Sequence, residues 1–269
     1  MLLKKIKQKC ISLFRQPQSA WMARKQGGFM LNLSFSDASS RFFTRNKLHA
    51  YMHHYFHQMS PLILREHREY FKVNNRGFGE DAFHSMWYLL LREYRPLNCL
   101  EIGVYRGQVI SLWGLLSKTL DFPCQVYGIS PFSSDGDHVS SYLSGIDYET
   151  DTIKNNLEFT TQKPELLKAY STDQASMDLI ASKSWDLIYI DGSHDYEVVL
   201  ADYEVCKKNL ASGGILVFDD SSLNTEFSPP LFSFAGHPGP SRVVKDKAMN
   251  ELKFLGAVGH NTVFQKVNE

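Results

Sequence analysis

Two short stretches hold the residues best suited to chemistry. "DLIYIDGSHDYE" runs from Asp186 to Glu197 and ends an apolar run at Asp191, followed by Gly192, His194 and Asp195. "GGILVFDDSS" ends a second apolar run at Asp219 and Asp220. If the two runs are adjacent parallel strands, three carboxylates meet at one edge of a sheet. Carboxylates so close repel one another, and burial strengthens the repulsion. A positive group is therefore expected among them. A hard divalent cation, Mg2+ or a substitute, takes oxygen donors of this kind and keeps positions open for a substrate. A plainer reading stays open, in which Asp219 or Asp220 caps the next turn and Asp191 contacts only a cofactor. His194, three residues past Asp191, is placed to take a proton from a hydroxyl. It can equally cap the helix beginning near Tyr196, although Asp195 is better placed for capping or can itself orient His194.

These residues need a frame, and the rest of the chain supplies one. "FGEDAFHSMWYLLLREYRP" reads as a helix stopped by Pro96. "LNCLEIGV", "CQVYGIS", "ELLKAYS", "WDLIYIDG" and "GGILVFDD" read as five strands, separated by the helical patterns "GQVISLWGLLSKTL", "ETDTIKNNLEFT", "QASMDLIASK" and "YEVVLADYEVCKKNL". "SRVVKDKAMNEL" is a helix, and "FLGAVGHNTVFQKV" supplies closing strands around a Gly259–His260–Asn261 turn. Such β-α alternation with short, doubly buried strands predicts a parallel sheet wrapped by helices. Ligands of these sheets sit beyond the carboxyl ends of the strands.

The first strand ends "LEIGVYRGQ", with Glu101 followed by Gly103 and Gly107. Small residues there let a ligand approach the backbone, and the next helix offers its N-terminus. The dinucleotide fingerprint GxGxxG is absent, and Glu101 stands where its first glycine belongs. A carboxylate there suits a cationic or hydroxyl-rich ligand rather than pyrophosphate. The ExGxxxG pattern resembles motif I of class I S-adenosylmethionine-dependent methyltransferases. That resemblance implies an α/β fold with a Rossmann-like, mostly parallel sheet, an antiparallel last strand and helices on both faces. It implies that Glu101, Gly103, Tyr105 and Gly107 line the cofactor, with Arg106 in the loop above and Asp191 also near it. The second strand of such enzymes ends in an acid that binds the ribose. Here Ser130 takes that place, a weaker partner for a hydroxyl, with Asp135 and Asp137 shortly after. "STDQAS" resembles the pair that contacts adenine in some relatives, which places Asp173 and Gln174 there. Helix capping by Ser171 or Asp173 is the alternative.

Taken together, IDGSH and DD resemble a metal-dependent subgroup of O-methyltransferases acting on sugar hydroxyls. It includes macrocin-type and mycinose-pathway enzymes and families called cephalosporin-hydroxylase-like or rhamnosyl O-methyltransferases. The resemblance spans roughly residues 80–267. It implies that Asp191, Asp219 and Asp220 bind the metal and that His194 is the general base. The expected reaction is methyl transfer from S-adenosylmethionine to a hydroxyl of a sugar, glycan or glycosylated metabolite. A metal-independent methyltransferase, a nicotinamide-dependent oxidoreductase and a non-catalytic binding module are the rivals. The missing GxGxxG weighs against the oxidoreductase. Ser221 and Ser222 beside His194 suggest hydrolysis, but no GxSxG is present.

Length and composition bound the remainder. The chain has 269 residues, enough for one sizeable core, with 29 basic and 29 acidic residues in balance. That balance gives no reason to expect nucleic acid as a partner. Cys10, Cys99, Cys124 and Cys206 show no metal-ligand spacing and fit a reducing, cytoplasmic setting. No stretch has the apolar length of a membrane span. The basic N-terminus, with Leu2, Leu3, Ile6, Cys10, Leu13 and Phe14 on one helical face, suits docking on its own domain or weak contact with a membrane surface. The chain is expected to divide into a helical extension or lid, residues 1–75, and a methyltransferase domain, residues 76–269. Aromatic helices in the extension could pair two copies. His49, His53 and His57 fall four apart, but no acidic partner is evident, so a packed or substrate-facing helix is expected. "SFAGHPGPSRVV" is either a lid that carries His237 over the site or an inert connection. "NNRGFGED" and residues 135–147 are further lid candidates.

Overall fold

The computed structural model describes residues 31–133, 145–230 and 234–267. The N-terminal amphipathic segment with Cys10, and also Asp135 and Asp137, lie outside the described residues.

Among the described residues four helices come first: α1 (Phe35–Arg41), α2 (Arg45–Gln58), α3 (Leu62–Lys72) and α4 (Asp81–Tyr94). Local chemistry sets their ends. The Ser34 hydroxyl accepts the Asp37 N–H at the start of α1, and Thr44 accepts that of Lys47 at the start of α2. Pro61 stands at the N-cap of α3, and α4 ends at Arg95 in the left-handed region just before Pro96.

Strands and helices then alternate: β1 (Asn98–Ile102), α5 (Gln108–Thr119), β2 (Gln125–Ser130), α6 (Tyr148–Leu157), β3 (Glu165–Lys168), α7 (Gln174–Ala181), β4 (Trp185–Ile190), α8 (Tyr196–Asn209) and β5 (Leu210–Phe218). α9 (Pro238–Val243) runs on through a π-helical stretch, Val244–Ala248, into Met249–Glu251. A hairpin of β6 (Lys253–Val258) and β7 (Asn261–Gln265) closes the chain. The sheet has seven strands in the order β3-β2-β1-β4-β5-β7-β6. All pairs are parallel except β5–β7 and β6–β7. The expected antiparallel last strand is therefore present.

Both sheet faces are apolar, which is why the strands read as unbroken apolar runs. Leu187, Tyr189, Val217 and Val263 face one core with Trp87 and Trp113. Ile188, Ile190, Phe218 and Phe264 face the other, against Val199 and Tyr203 of α8 and Val243 of α9. The first core continues without a break into Phe35, Leu48, Tyr51, Met52 and Tyr55. Helix α2 lies against α4 and reaches β6. Cys99, Cys124 and Cys206 are free and buried, as expected of core cysteines. Among the described residues no helix is long and apolar enough to cross a membrane.

Candidate active site

Strand register carries the candidate residues into one row. The hydrogen-bond ladder runs one step past the strands: Gly103 N–H donates to the Ile129 carbonyl at 2.9 Å, Asp191 N–H to Ile102 at 2.8 Å and Asp219 N–H to Ile190 at 3.0 Å. Gly103, Asp191 and Asp219 thus stand side by side at the carboxyl edge, where the strand order reverses between β1 and β4. Gly103 must be glycine. Its φ is 101°, and a Cβ would stand 2.0 Å from the Asp191 carbonyl oxygen. Gly107, φ 76°, caps α5, and a Cβ there would meet Thr152 Cγ2 at 2.7 Å.

Glu101 sits two residues before Gly103 and pairs with Tyr189 across β1 and β4. It is buried, and its Oε2 has no hydrogen-bond partner among the described residues. Burial, aided by Asp219 and opposed by the Ile110 N–H, pushes its carboxyl up to about 8. A buried carboxyl oxygen without a donor suits the ammonium group of a bound amino acid moiety.

The carboxylates at the next two strand ends are strongly coupled. Burial, and then Asp219, push Asp191 well above the usual carboxylate range, and the two share a hydrogen bond. Asp219 is raised by burial and by Asp220. Asp220 goes the other way. Burial alone would raise it, but the hydrogen bond from His194 and the nearby His260 and His237 bring it below its ordinary value.

Three imidazoles surround Asp220, whose backbone is left-handed at φ 49°. Its Oδ2 lies 3.0 Å from His194 Nε2 and 3.8 Å from His237 Nε2. Its Oδ1 lies 4.0 Å from His260 Nε2, which is itself 3.3 Å from Asp219 Oδ1. The His194 and His237 rings lie close, with centroids 3.9 Å apart and planes tilted by 40°. Of the three groups among the described residues whose ligand atoms lie within 4.8 Å of one another, two are here: Asp219, Asp220 and His260, and His194, Asp220 and His237; the third, His53, His57 and Asp81, lies between α2 and α4. Crowded acids that share a proton, faced by imidazole nitrogens, are a donor set that fits a divalent cation. Asp191 stands in the same row, tied to Asp219.

His237 was foreseen only as a possible lid residue and His260 only as part of a turn. Both belong to this cluster. The loop bearing His237 is packed down: a Cβ on Gly239 would stand 2.0 Å from the His194 carbonyl oxygen, and one on Gly236 would stand 2.2 Å from that of Asp220. The signal for His260 lay in the topology. β7 runs antiparallel to β5, so β6 runs parallel to β5, and the turn between β6 and β7 emerges at the carboxyl edge.

The other candidates sit as follows. Tyr105 packs its ring 4.9 Å from that of Phe78 and 5.3 Å from that of Tyr148, which brings the "NNRGFGED" segment over the glycine loop. Ser130 is buried at the end of β2, where it donates to the Val104 carbonyl and accepts the Phe132 N–H. Asp173 stands at the N-cap of α7 and accepts the Tyr170 N–H, while the exposed Gln174 side chain donates to Asp178. Arg106 is buried in an ion pair with Asp151 at 2.5 Å and donates to the Asn74 carbonyl, so it braces the loop from beneath. Ser221 Oγ lies 2.7 Å from Thr262 Oγ1 and 3.0 Å from the His260 carbonyl oxygen, and is structural. The histidines of α2 do have acidic partners, supplied by the start of α4: His49 Nε2 is 3.1 Å from Glu80, and His57 Nε2 is 3.2 Å from Asp81.

Residues 100–221 match the sequence profile of a family described as a methyltransferase domain. This stretch is similar to that family. It contains Glu101, Gly103, Asp191, His194, Asp219 and Asp220, whereas His237 and His260 lie beyond it. An S-adenosylhomocysteine-bound methyltransferase from Podospora anserina superposes with a TM-score of 0.55 at 13% identity, covering 80% of this chain and 93% of that one. An O-methyltransferase from Bacillus cereus in complex with S-adenosylhomocysteine gives 0.52 at 15%, covering 83% and 100%. An O-methyltransferase of tomaymycin synthesis from Streptomyces achromogenes, in complex with S-adenosylmethionine, gives 0.52 at 12%, covering 83% and 99%. At these identities the likeness is one of fold: the described residues share the fold of these S-adenosylmethionine- and S-adenosylhomocysteine-bound methyltransferases. By sequence, an uncharacterized protein of Acanthamoeba polyphaga mimivirus is 26% identical over 196 residues, 70% of this chain and 78% of its own length.

Proposed function

We propose that the chain transfers a methyl group from S-adenosylmethionine to a hydroxyl of a sugar, glycan or glycosylated metabolite, assisted by a divalent cation. The supporting observation is the row Gly103–Asp191–Asp219 at the strand-order reversal, with the Asp220–His194 pair beside it. Glu101, Gly103, Tyr105 and Gly107 are the cofactor side of that row, with Ser130, Asp173, Gln174 and Asp191 as further contacts implied by the family resemblance. Asp191, Asp219 and Asp220 are the cation side, for Mg2+ or another divalent ion. When bound, the sulfonium supplies the reactive carbon and the cation supplies Lewis acidity.

The chain's own residues then have defined tasks. Asp220 Oδ2, 3.0 Å from His194 Nε2, accepts the Nε2–H and fixes the ring. That tautomer leaves the lone pair on Nδ1, and Nδ1 takes the proton of the acceptor hydroxyl. The neighbouring His237 ring and the packed loop behind it keep His194 from swinging away. Burial of Glu101 keeps water scarce on the cofactor side, which favours in-line transfer to the acceptor over hydrolysis.

Residues 76–269 are the catalytic unit in this reading, and residues 1–75 an extension beside it that helps select the acceptor. Buried, reduced cysteines accord with a cytoplasmic setting, and exposed Phe43 and Leu62 offer a surface for a second copy. Calorimetric titration with S-adenosylmethionine and with NAD tests the cofactor: binding of NAD alone would sink the proposal. EDTA tests the cation: turnover is expected to vanish and to return on adding a divalent ion. Undiminished turnover would favour a metal-independent enzyme, a reading that draws support from His260. Burial alone would lower its pKa, but Asp219, Asp220 and Glu80 raise it, so a protonated ring could supply the positive charge.

A further inference from the structure

We propose that His260 ligates the cation of this site through Nε2, and that this nitrogen donor makes the site prefer Mn2+ to Mg2+; the inference rests on the cation reading above. The argument starts at the other ring nitrogen. His260 Nδ1 lies 3.1 Å from the Phe234 carbonyl oxygen. A carbonyl oxygen only accepts, so Nδ1 carries the hydrogen. In the neutral ring the lone pair is then on Nε2, which stands 3.3 Å from Asp219 Oδ1 and 4.0 Å from Asp220 Oδ1. A lone pair aimed at two carboxylate oxygens is repulsive unless a cation, or the proton of a charged ring, lies between them. Fixing the tautomer through a backbone carbonyl is also how proteins prepare an imidazole to bind a metal.

Packing holds the ring for the task. Phe83 meets His260 edge-on at 4.7 Å. The turn bearing it is anchored by the Arg45 guanidinium, which donates to Thr262 Oγ1 at 2.9 Å and to the Gly259 carbonyl at 3.4 Å. Asn261 beside it is 1% exposed, and neither of its side-chain polar atoms has a hydrogen-bond partner among the described residues. An unpartnered amide one step beyond the Phe218–Thr262 pair indicates that the edge next to Asp219 takes another polar group. Asp220 divides its oxygens accordingly: Oδ2 serves His194, and Oδ1 faces the group with Asp219 and His260. Mg2+ favours oxygen donors and keeps much of its water, whereas Mn2+ and the later divalent ions accept imidazole nitrogen more readily.

The test is calorimetric titration of the full chain with Mg2+ and with Mn2+, on wild type and His260→Gln, beside pulsed electron paramagnetic resonance of the Mn2+-loaded protein. Wild type is expected to bind Mn2+ about tenfold or more tighter than Mg2+ and to show nitrogen coupling from a ligating ring. H260Q is expected to lose about 10–100-fold in Mn2+ affinity, to change far less toward Mg2+ and to lose the coupling. The coupling should persist in His237→Ala, and its loss there would move the ligand to His237 and overturn the assignment. Equal Mn2+ affinity in H260Q, or no nitrogen coupling in wild type, overturns it as well. The spectrum of wild type decides even if H260Q fails to fold. If wild type binds neither ion, the cation reading itself falls; if both ions bind and His260 has no effect, only this inference falls.

Discussion

Asp220 is asked to serve two neighbours at once. Its Oδ2 holds His194 and its Oδ1 faces Asp219 and His260. His194→Ala should therefore cut turnover by about 10²–10⁴-fold while cofactor binding survives, because the proton acceptor goes and the glycine loop stays. Turnover measured as S-adenosylhomocysteine release, beside a titration of the cofactor, checks both halves. Asp219→Asn should also abolish turnover. Full activity in both variants would mean that the roles are misassigned. Glu101 gives a prediction in pH. Its carboxyl has an ordinary value of 4.5 and is held at about 8 in the folded protein. A group raised on folding binds its proton more tightly in the native state. Stability of the cofactor-free protein should thus fall as pH rises from 4.5 toward 8 on this account, and level off above. Glu101→Gln should flatten that fall and raise the melting temperature at pH 8, by an amount reflecting about 1.4 kcal/mol per pKa unit removed. An unchanged slope would refute it. Asp191, Asp219, Asp220 and His194 were legible from sequence because each directly follows an apolar run. His237 and His260 were not, because their partners lie 17 and 40 or more residues away and nothing local marks them.

At the scale of elements, the site depends on three strand ends staying in register. Gly103→Ala should shift that register: a Cβ there meets the Asp191 carbonyl at 2.0 Å and the backbone must hold φ 101°. The expected cost is about 1–3 kcal/mol or more, read as a lower melting temperature together with weaker cofactor binding. A variant that melts like wild type would show that the loop relaxes freely. The β-α alternation was readable from periodicity and from stop signals such as Pro96 and the glycines after each strand. The consequence of an antiparallel β7 was not drawn from it, although that single reversal is what sends the turn at His260 to the carboxyl edge. Sequence does not decide whether the loop bearing His237 is a lid or a connection, because nothing in it marks Gly236 and Gly239 as the positions that let it lie flat on Asp220 and His194.

For the whole molecule, the helices before β1 share the core of the sheet. Leu48, Tyr51, Met52 and Tyr55 of α2 pack in one cluster with Trp87, Val258 and Val263. Removing residues 1–75 should therefore expose a large apolar face rather than release a free domain. The expected result is aggregation or loss of cooperative unfolding, seen by size-exclusion chromatography and thermal melting. A monomeric truncated chain that melts cooperatively would show that the catalytic unit stands alone. Sequence marked a change of texture near residue 76 but gave no measure of how deeply the early helices are embedded, since burying partners such as Val258 and Val263 lie more than 200 residues downstream in β6 and β7.

That closing hairpin also sets an order of events during synthesis. The five parallel strands, with Gly103, Asp191 and Asp219 in their row, leave the ribosome before Lys253. Until then β5 is an open edge and its carboxylates face no ring from the hairpin. A nascent chain is thus expected to gain its cofactor cradle first and its full set of cation donors last. A ribosome-stalled chain ending before Lys253 would reveal this as S-adenosylmethionine binding with weakened Mn2+ binding.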